Sequence, residues 1–165
     1  MKQYPAIFLL LFSAMAEAIP VTWTLENVVF EDGGTAYGSY TYDADTNIFT
    51  NLSITTTAGS IITIGQTYTL GCNYSGCGNL DDVVVAETPA SYPPVFGFIL
   101  DAPMTNNGGS LAMLIGPCQT SCEFSADAQS FRNVISGSVS AVPIPPAVWL
   151  FGSALGGLGW LRRKQ

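Results

Sequence analysis

Apolar and polar residues alternate with a period of two through much of the chain. Val21, Trp23 and Leu25 are separated by Thr22 and Thr24, the pattern of a strand with one buried face, and the apolar run resumes at Val28, Val29 and Phe30. Residues 31–35 read EDGGT, where paired glycines supply positive φ readily and mark a turn. A strand rich in Tyr and Thr follows over 37–43, DADTN at 43–47 makes the next turn, and 48–55 predicts a strand with Ile48, Leu52 and Ile54 on one face. Further strands are predicted at 60–64, 67–70, 81–86, 95–100, 110–115 and 133–142, with a hairpin turn in TNNGGS at 105–110. About nine short strands broken by Gly, Asn, Asp and Pro predict an all-β domain, an antiparallel β-sandwich or jelly roll. No window of about eleven residues carries a helical stripe except near the two ends.

The ends follow a different logic. Lys2, an apolar run over 6–12 and the small-x-small triplet Ala16-Glu17-Ala18 predict a signal helix over 1–18, cut by signal peptidase after Ala18 to leave Ile19 first. At the other end, the prolines of Val142-Pro143-Ile144-Pro145-Pro146 fix φ and push their predecessors into extended geometry. Residues 147–161 are uncharged and apolar, predicting a short transmembrane helix of about 22 Å against a hydrocarbon core of ~30 Å. Arg162, Arg163 and Lys164 form a basic stop that stays cytoplasmic. The chain thus divides into 1–18, an exported domain over 19–141, and a tail over 142–165.

The tail VPIPPAVWLFGSALGGLGWLRRK resembles the PEP-CTERM sorting signal in its VPLPA-like variant, found on exported proteins of Gram-negative bacteria. The matching parts are Val142-Pro143-x-Pro145, the run from Ala147 to Ser153, the glycine-rich continuation and the basic end. Ile144 stands where the family usually has glutamate, close to the variant's leucine, and Pro146 stands where the variant often has alanine. The resemblance implies recognition by an exosortase, a multi-spanning membrane enzyme that cuts near the motif. It also implies transient residence in the inner membrane, release to the cell surface or extracellular matrix, and a link to exopolysaccharide. A softer resemblance covers the stretch from Trp23 through YDADT, with PMTNNGGS and SGSVSAVP further on. It is to a recurrent family of exported PEP-CTERM proteins with no established activity.

Charge sharpens the picture of the middle. Of twelve acidic residues only Glu17 precedes residue 19, and of five basic residues only Arg132 falls within 19–141, so this segment has a formal charge of −10. Such a surface repels a phosphate backbone, which argues against nucleic acid as a partner. Cationic ligands, divalent ions or plain solubility outside the cell fit better. Cys72, Cys77, Cys118 and Cys122 meet an oxidising compartment after export, which favours disulfides. Three connectivities are open to them, the two local pairs being the favoured one. A zinc site of four thiolates departs from the usual spacings, so no metal or cofactor is expected.

Catalytic patterns are sparse. The chain has no histidine, which excludes Ser-His-Asp and Cys-His catalysis. No phosphate-cradling glycine loop links a strand to a helix. Paired carboxylates at Glu31-Asp32, Asp43/Asp45 and Asp81-Asp82 leave a glycosidase formally open, but acids on turns read as solvated surface. Asp43-x-Asp45-x-Asn47 begins like a calcium loop and then fails, with Ile48 at the glycine position and Ile54 at the bidentate glutamate position. Tyr37, Tyr40, Tyr42, Tyr68, Tyr74 and Tyr92 are candidates for sugar stacking or for cross-strand packing. No catalytic residue is assigned. The expectation is a non-enzymatic exported surface or matrix protein, with a polysaccharide-binding module as the alternative.

Overall fold

The computed structural model describes residues 19–71, 81–89, 94–118, 120–126 and 129–141. The predicted signal segment with Ala16 and Ala18, the tail from Val142 onward, Cys72, Cys77, Tyr74 and Tyr92 lie outside the described residues. The described residues form ten strands: β1 (Val21–Phe30), β2 (Thr35–Asp43), β3 (Ile48–Thr56), β4 (Thr67–Tyr68), β5 (Leu70–Gly71), β6 (Val83–Glu87), β7 (Val95–Ile99), β8 (Gly109–Ala112), β9 (Cys122–Phe124) and β10 (Phe131–Ala141). Every pairing among them is antiparallel, and no helix occurs among the described residues.

The strand order is β4-β3-β2-β1-β10-β9-β7-β6-β5, with β8 also paired to β10. Its two ends are one piece of chain. β4 and β5 are separated only by Thr69, whose N–H donates to the Glu87 carbonyl at 3.2 Å, so residues 67–71 pair with β3 on one side and β6 on the other. The sheet therefore nearly closes on itself as a barrel, with β1 and β10 side by side. β10 turns the corner: Phe131–Asn133 pair with β9, while later residues pair with β1 and β8. The predicted all-β antiparallel class stands, but the sandwich or jelly roll is replaced by this barrel-like meander. Alternation could not separate the two, because both architectures turn every second side chain inward.

Among the described residues three asparagines adopt the left-handed conformation, Asn27 (φ 53°), Asn47 (φ 55°) and Asn51 (φ 50°), and two of them correct the strand phase. Val21, Trp23 and Leu25 point inward, and so do Val28 and Phe30, which is impossible in a regular strand. The pairing of β1 slips between Thr24 and Val28, and Asn27 absorbs the extra residue. Asn51 does the same in β3, where pairing slips opposite Ser39 and Thr41. This corrects the expected face of β3: Leu52 and Ile54 are buried, but Ile48 lies beyond the bulge and is 50% exposed.

One core fills the interior, led by Trp23, Phe30, Tyr40, Tyr42, Ile54, Tyr68, Phe96 and Phe98. Phe30 meets Phe96 edge-on at 5.5 Å, and Phe96 meets Phe98 at 5.3 Å. The predicted strand at 60–64 is absent. Those residues form an irregular loop between β3 and β4, and the cause lies in the site described next.

Candidate functional site

Arg132 shares the inward phase of Val134 at the start of β10, so the fold carries the only cation of residues 19–141 into the interior, where it is fully buried. A lone buried guanidinium would be strongly destabilising, and every arm of this one is occupied. Nε donates to Glu123 Oε2 at 2.6 Å, and Nη2 reaches the same carboxylate while donating to the Thr57 carbonyl at 2.8 Å. Nη1 donates to both oxygens of Asp32 at 3.1 Å. The Phe30 ring lies under the guanidinium, 4.1 Å from centroid to central carbon.

Both carboxylates are satisfied on their other sides. Glu123 Oε1 accepts from Tyr68 Oη at 2.6 Å and from Thr56 Oγ1 at 2.7 Å. Asp32 accepts from the N–H of Gly34 at 3.0 Å and from those of Ile61 and Ile62 at 3.2 Å each. These last two bonds explain the loop at 60–64. Its N–H groups face a buried carboxylate instead of a neighbouring strand, and the Asp32 carbonyl accepts from the Ser60 N–H at 3.1 Å. Two glycines make room for the cluster: a Cβ on Gly34 would strike the Arg132 guanidinium, and one on Gly59 would strike the Asp32 carboxylate.

Burial alone would push the Asp32 carboxyl up. The N–H groups of Gly34 and Ile62, with Arg132, outweigh it and hold the group below 3.8. Burial, then the Glu123 charge, push the Tyr68 phenol well above its usual range, so it remains an O–H donor. The side chains of Asp32, Glu123 and Arg132 are all 0% exposed. Two acids and a base with saturated hydrogen bonding and no access to solvent have no free lone pair or proton to offer a substrate. The arrangement is a clamp that ties the β1–β2 turn, the loop after β3, β4, β9 and β10 together.

The other sequence candidates fall elsewhere. Asp32 is not solvated surface as expected, whereas its neighbour Glu31 is exposed and caps the N–H and the side-chain amide of Asn133 at 2.9 Å. Asp43 accepts from the Asp45 N–H at 2.9 Å and the Thr46 hydroxyl at 2.8 Å, a turn cap of the expected kind. No group of three or more metal-ligating side chains gathers among the described residues. Tyr40, Tyr42 and Tyr68 are buried, which removes them as sugar platforms, while Tyr37 is 57% exposed. Cys118 and Cys122 are joined in a disulfide with Cα atoms 5.0 Å apart, one of the two expected local pairs, while the other, Cys72 with Cys77, lies outside the described residues. Sequence reasoning noted Arg132 only as the lone base and did not single out Glu123. The available signal was phase, since Arg132 and Val134 are two residues apart on one strand.

Beside the clamp lies a groove of about 420 Å³ between the loop at 61–66 and the end of β9. Ile61, Ile62, Ile64 and Phe124 supply its apolar surface, and Thr63, Gln66 and Ser130 its polar surface. Glu123 borders it, yet the clamp holds that carboxylate out of solvent. A scan against protein-family models, a search of curated proteins and a search of solved structures each found no match to the chain.

Proposed function

We propose that the chain is a non-enzymatic exported surface or matrix protein. In this reading its β domain is delivered by the PEP-CTERM-like tail and released from the inner membrane by an exosortase-type enzyme. The observation that carries the non-enzymatic part is the clamp: the ionisable groups gathered in the interior, Asp32, Glu123 and Arg132, are used up holding segments together. The chain path supports the delivery part. Thr24 pairs with Ser140, so the start of β1 and the end of β10 leave the barrel at the same end. A tether at residue 142 would then leave the opposite end, with its groove, pointing away from the membrane. The polysaccharide-binding alternative loses three of its six tyrosines to the core.

The test replaces Pro143 and Pro145 by alanine and follows full-length protein by mass spectrometry and cell fractionation. A processing enzyme needs the extended proline segment in its active site, whereas a plain anchor needs only hydrophobicity and the basic stop. Wild type is expected to lose the tail through Gln165 and leave the inner membrane, while the variant keeps it and stays. Equal masses and locations for the two proteins would overturn the sorting reading.

A further inference from the structure

We infer that the groove beside the clamp is a binding site for an uncharged small molecule with an apolar body. Three observations converge on it. Its volume of about 420 Å³ is that of a small-molecule site, and it opens at one end of a nearly closed antiparallel sheet, a place where such sites form. Its wall is both greasy and exposed: Ile61 is 45% and Ile64 69% exposed, while Phe124 is 36% exposed and carries the ring of Phe131 at 6.1 Å. That wall is also built to stay in place, because Asp32 holds the N–H groups of Ile61 and Ile62 from inside the protein.

Charge selects among apolar ligands. Residues 19–141 hold one basic side chain, Arg132, and it is buried against two carboxylates, so no basic side chain is among the described residues that line the groove. A carboxylate, phosphate or sulfonate entering the groove would lose water and find no counter-ion. Among the described residues that line it the one acid is Glu123, sealed by Arg132, Thr56 and Tyr68, so these residues offer a cationic ligand no accessible carboxylate. The polar rim of Thr63, Gln66 and Ser130 suits a hydroxyl, carbonyl or amine hydrogen of a neutral molecule. This assignment does not rest on the sorting reading and holds whether or not the tail is processed.

The experiment titrates the purified full-length protein with two fluorescent probes that share one aromatic skeleton. N-phenyl-1-naphthylamine is neutral, and 8-anilino-1-naphthalenesulfonate is anionic. Two groove variants, Ile64→Asp and Thr63→Asp, alter exposed side chains and so spare the fold, and Ile135→Asp (52% exposed on β10) is the control. Circular dichroism verifies that all four proteins fold alike, and any uptake by the apolar chain ends is common to all of them. The expected result is one saturable component for the neutral probe, weakened on the order of tenfold in both groove variants and unchanged in Ile135→Asp. The anionic probe should bind the same component on the order of tenfold more weakly. A titration without that component, equal behaviour of Ile64→Asp and wild type, equal loss in the control, or equal affinity for the two probes would each overturn the assignment.

Discussion

Arg132 holds three partners that come from three different parts of the chain: the Asp32 carboxylate, the Glu123 carboxylate and the Thr57 carbonyl. Only a planar fork of several donors can reach all three at once, and a lysine ammonium on a flexible stem cannot. Arg132→Lys is therefore expected to destabilise the protein on the order of 2 kcal/mol, although charge is conserved. Arg132→Met leaves two buried acids without a cation and should cost about 3–5 kcal/mol. Urea denaturation followed by the fluorescence of Trp23, the one tryptophan within 19–141 and fully buried, measures both. Equal stability of the lysine variant and wild type would show that the fork geometry is dispensable. That residue was half legible in the sequence. Its inward phase could be read from Val134, but its partners stand 9 and 100 residues away, and no local pattern connects them.

At the scale of elements, the clamp explains which segments were readable and which were not. β2 and β7 bury every second residue, β1 and β10 do so on either side of a phase slip, and the turns at Gly33 and Asn47 fall on residues with positive φ, because those features are decided by neighbours in sequence. The segment 60–64 contains three isoleucines and two hydroxyl residues and reads as strand, yet its N–H groups point at Asp32, some 30 positions earlier. Tertiary hydrogen bonding overrode local propensity there. The closure of the barrel was illegible for a related reason, since it rests on the five residues 67–71 pairing on both sides. The loop's dependence on one carboxylate has a pH consequence. The folded pKa of Asp32 lies below the 3.8 of the free group, so its contribution is fully present above that value and is lost as pH falls through the folded value. Urea midpoints are expected to fall between about pH 5 and pH 2.5 in wild type. In Asp32→Asn they should already be low at neutral pH and change less over the same interval. Parallel pH profiles for the two proteins would remove Asp32 from the acid-labile set.

For the whole molecule, the decisive quantity is that residues 19–141 contain no lysine and a single arginine at the heart of the fold. The outer surface compensates with hydroxyls: one row of paired positions runs Ser110, Ser140, Thr24, Ser39 and Ser53 across five strands. Trypsin needs an accessible basic residue on a segment that can extend into its cleft, and Arg132 offers neither accessibility nor freedom within β10. Native protein is therefore expected to keep 19–141 in one piece through digestion that removes any basic tail. Denaturation in urea should add a single cut after Arg132. The same composition makes amine labelling a monitor of processing, because Lys164 is the only lysine beyond residue 19. Protein that keeps its tail should take two labels after signal removal, at the new N-terminus and at Lys164, and protein released by cleavage near Pro143 should take one. Rapid cutting at Arg132 in native protein would mean that β10 opens at its start and that the clamp does not hold the barrel shut. Two labels on material recovered outside the cell would show that release, if it occurs, leaves the tail attached.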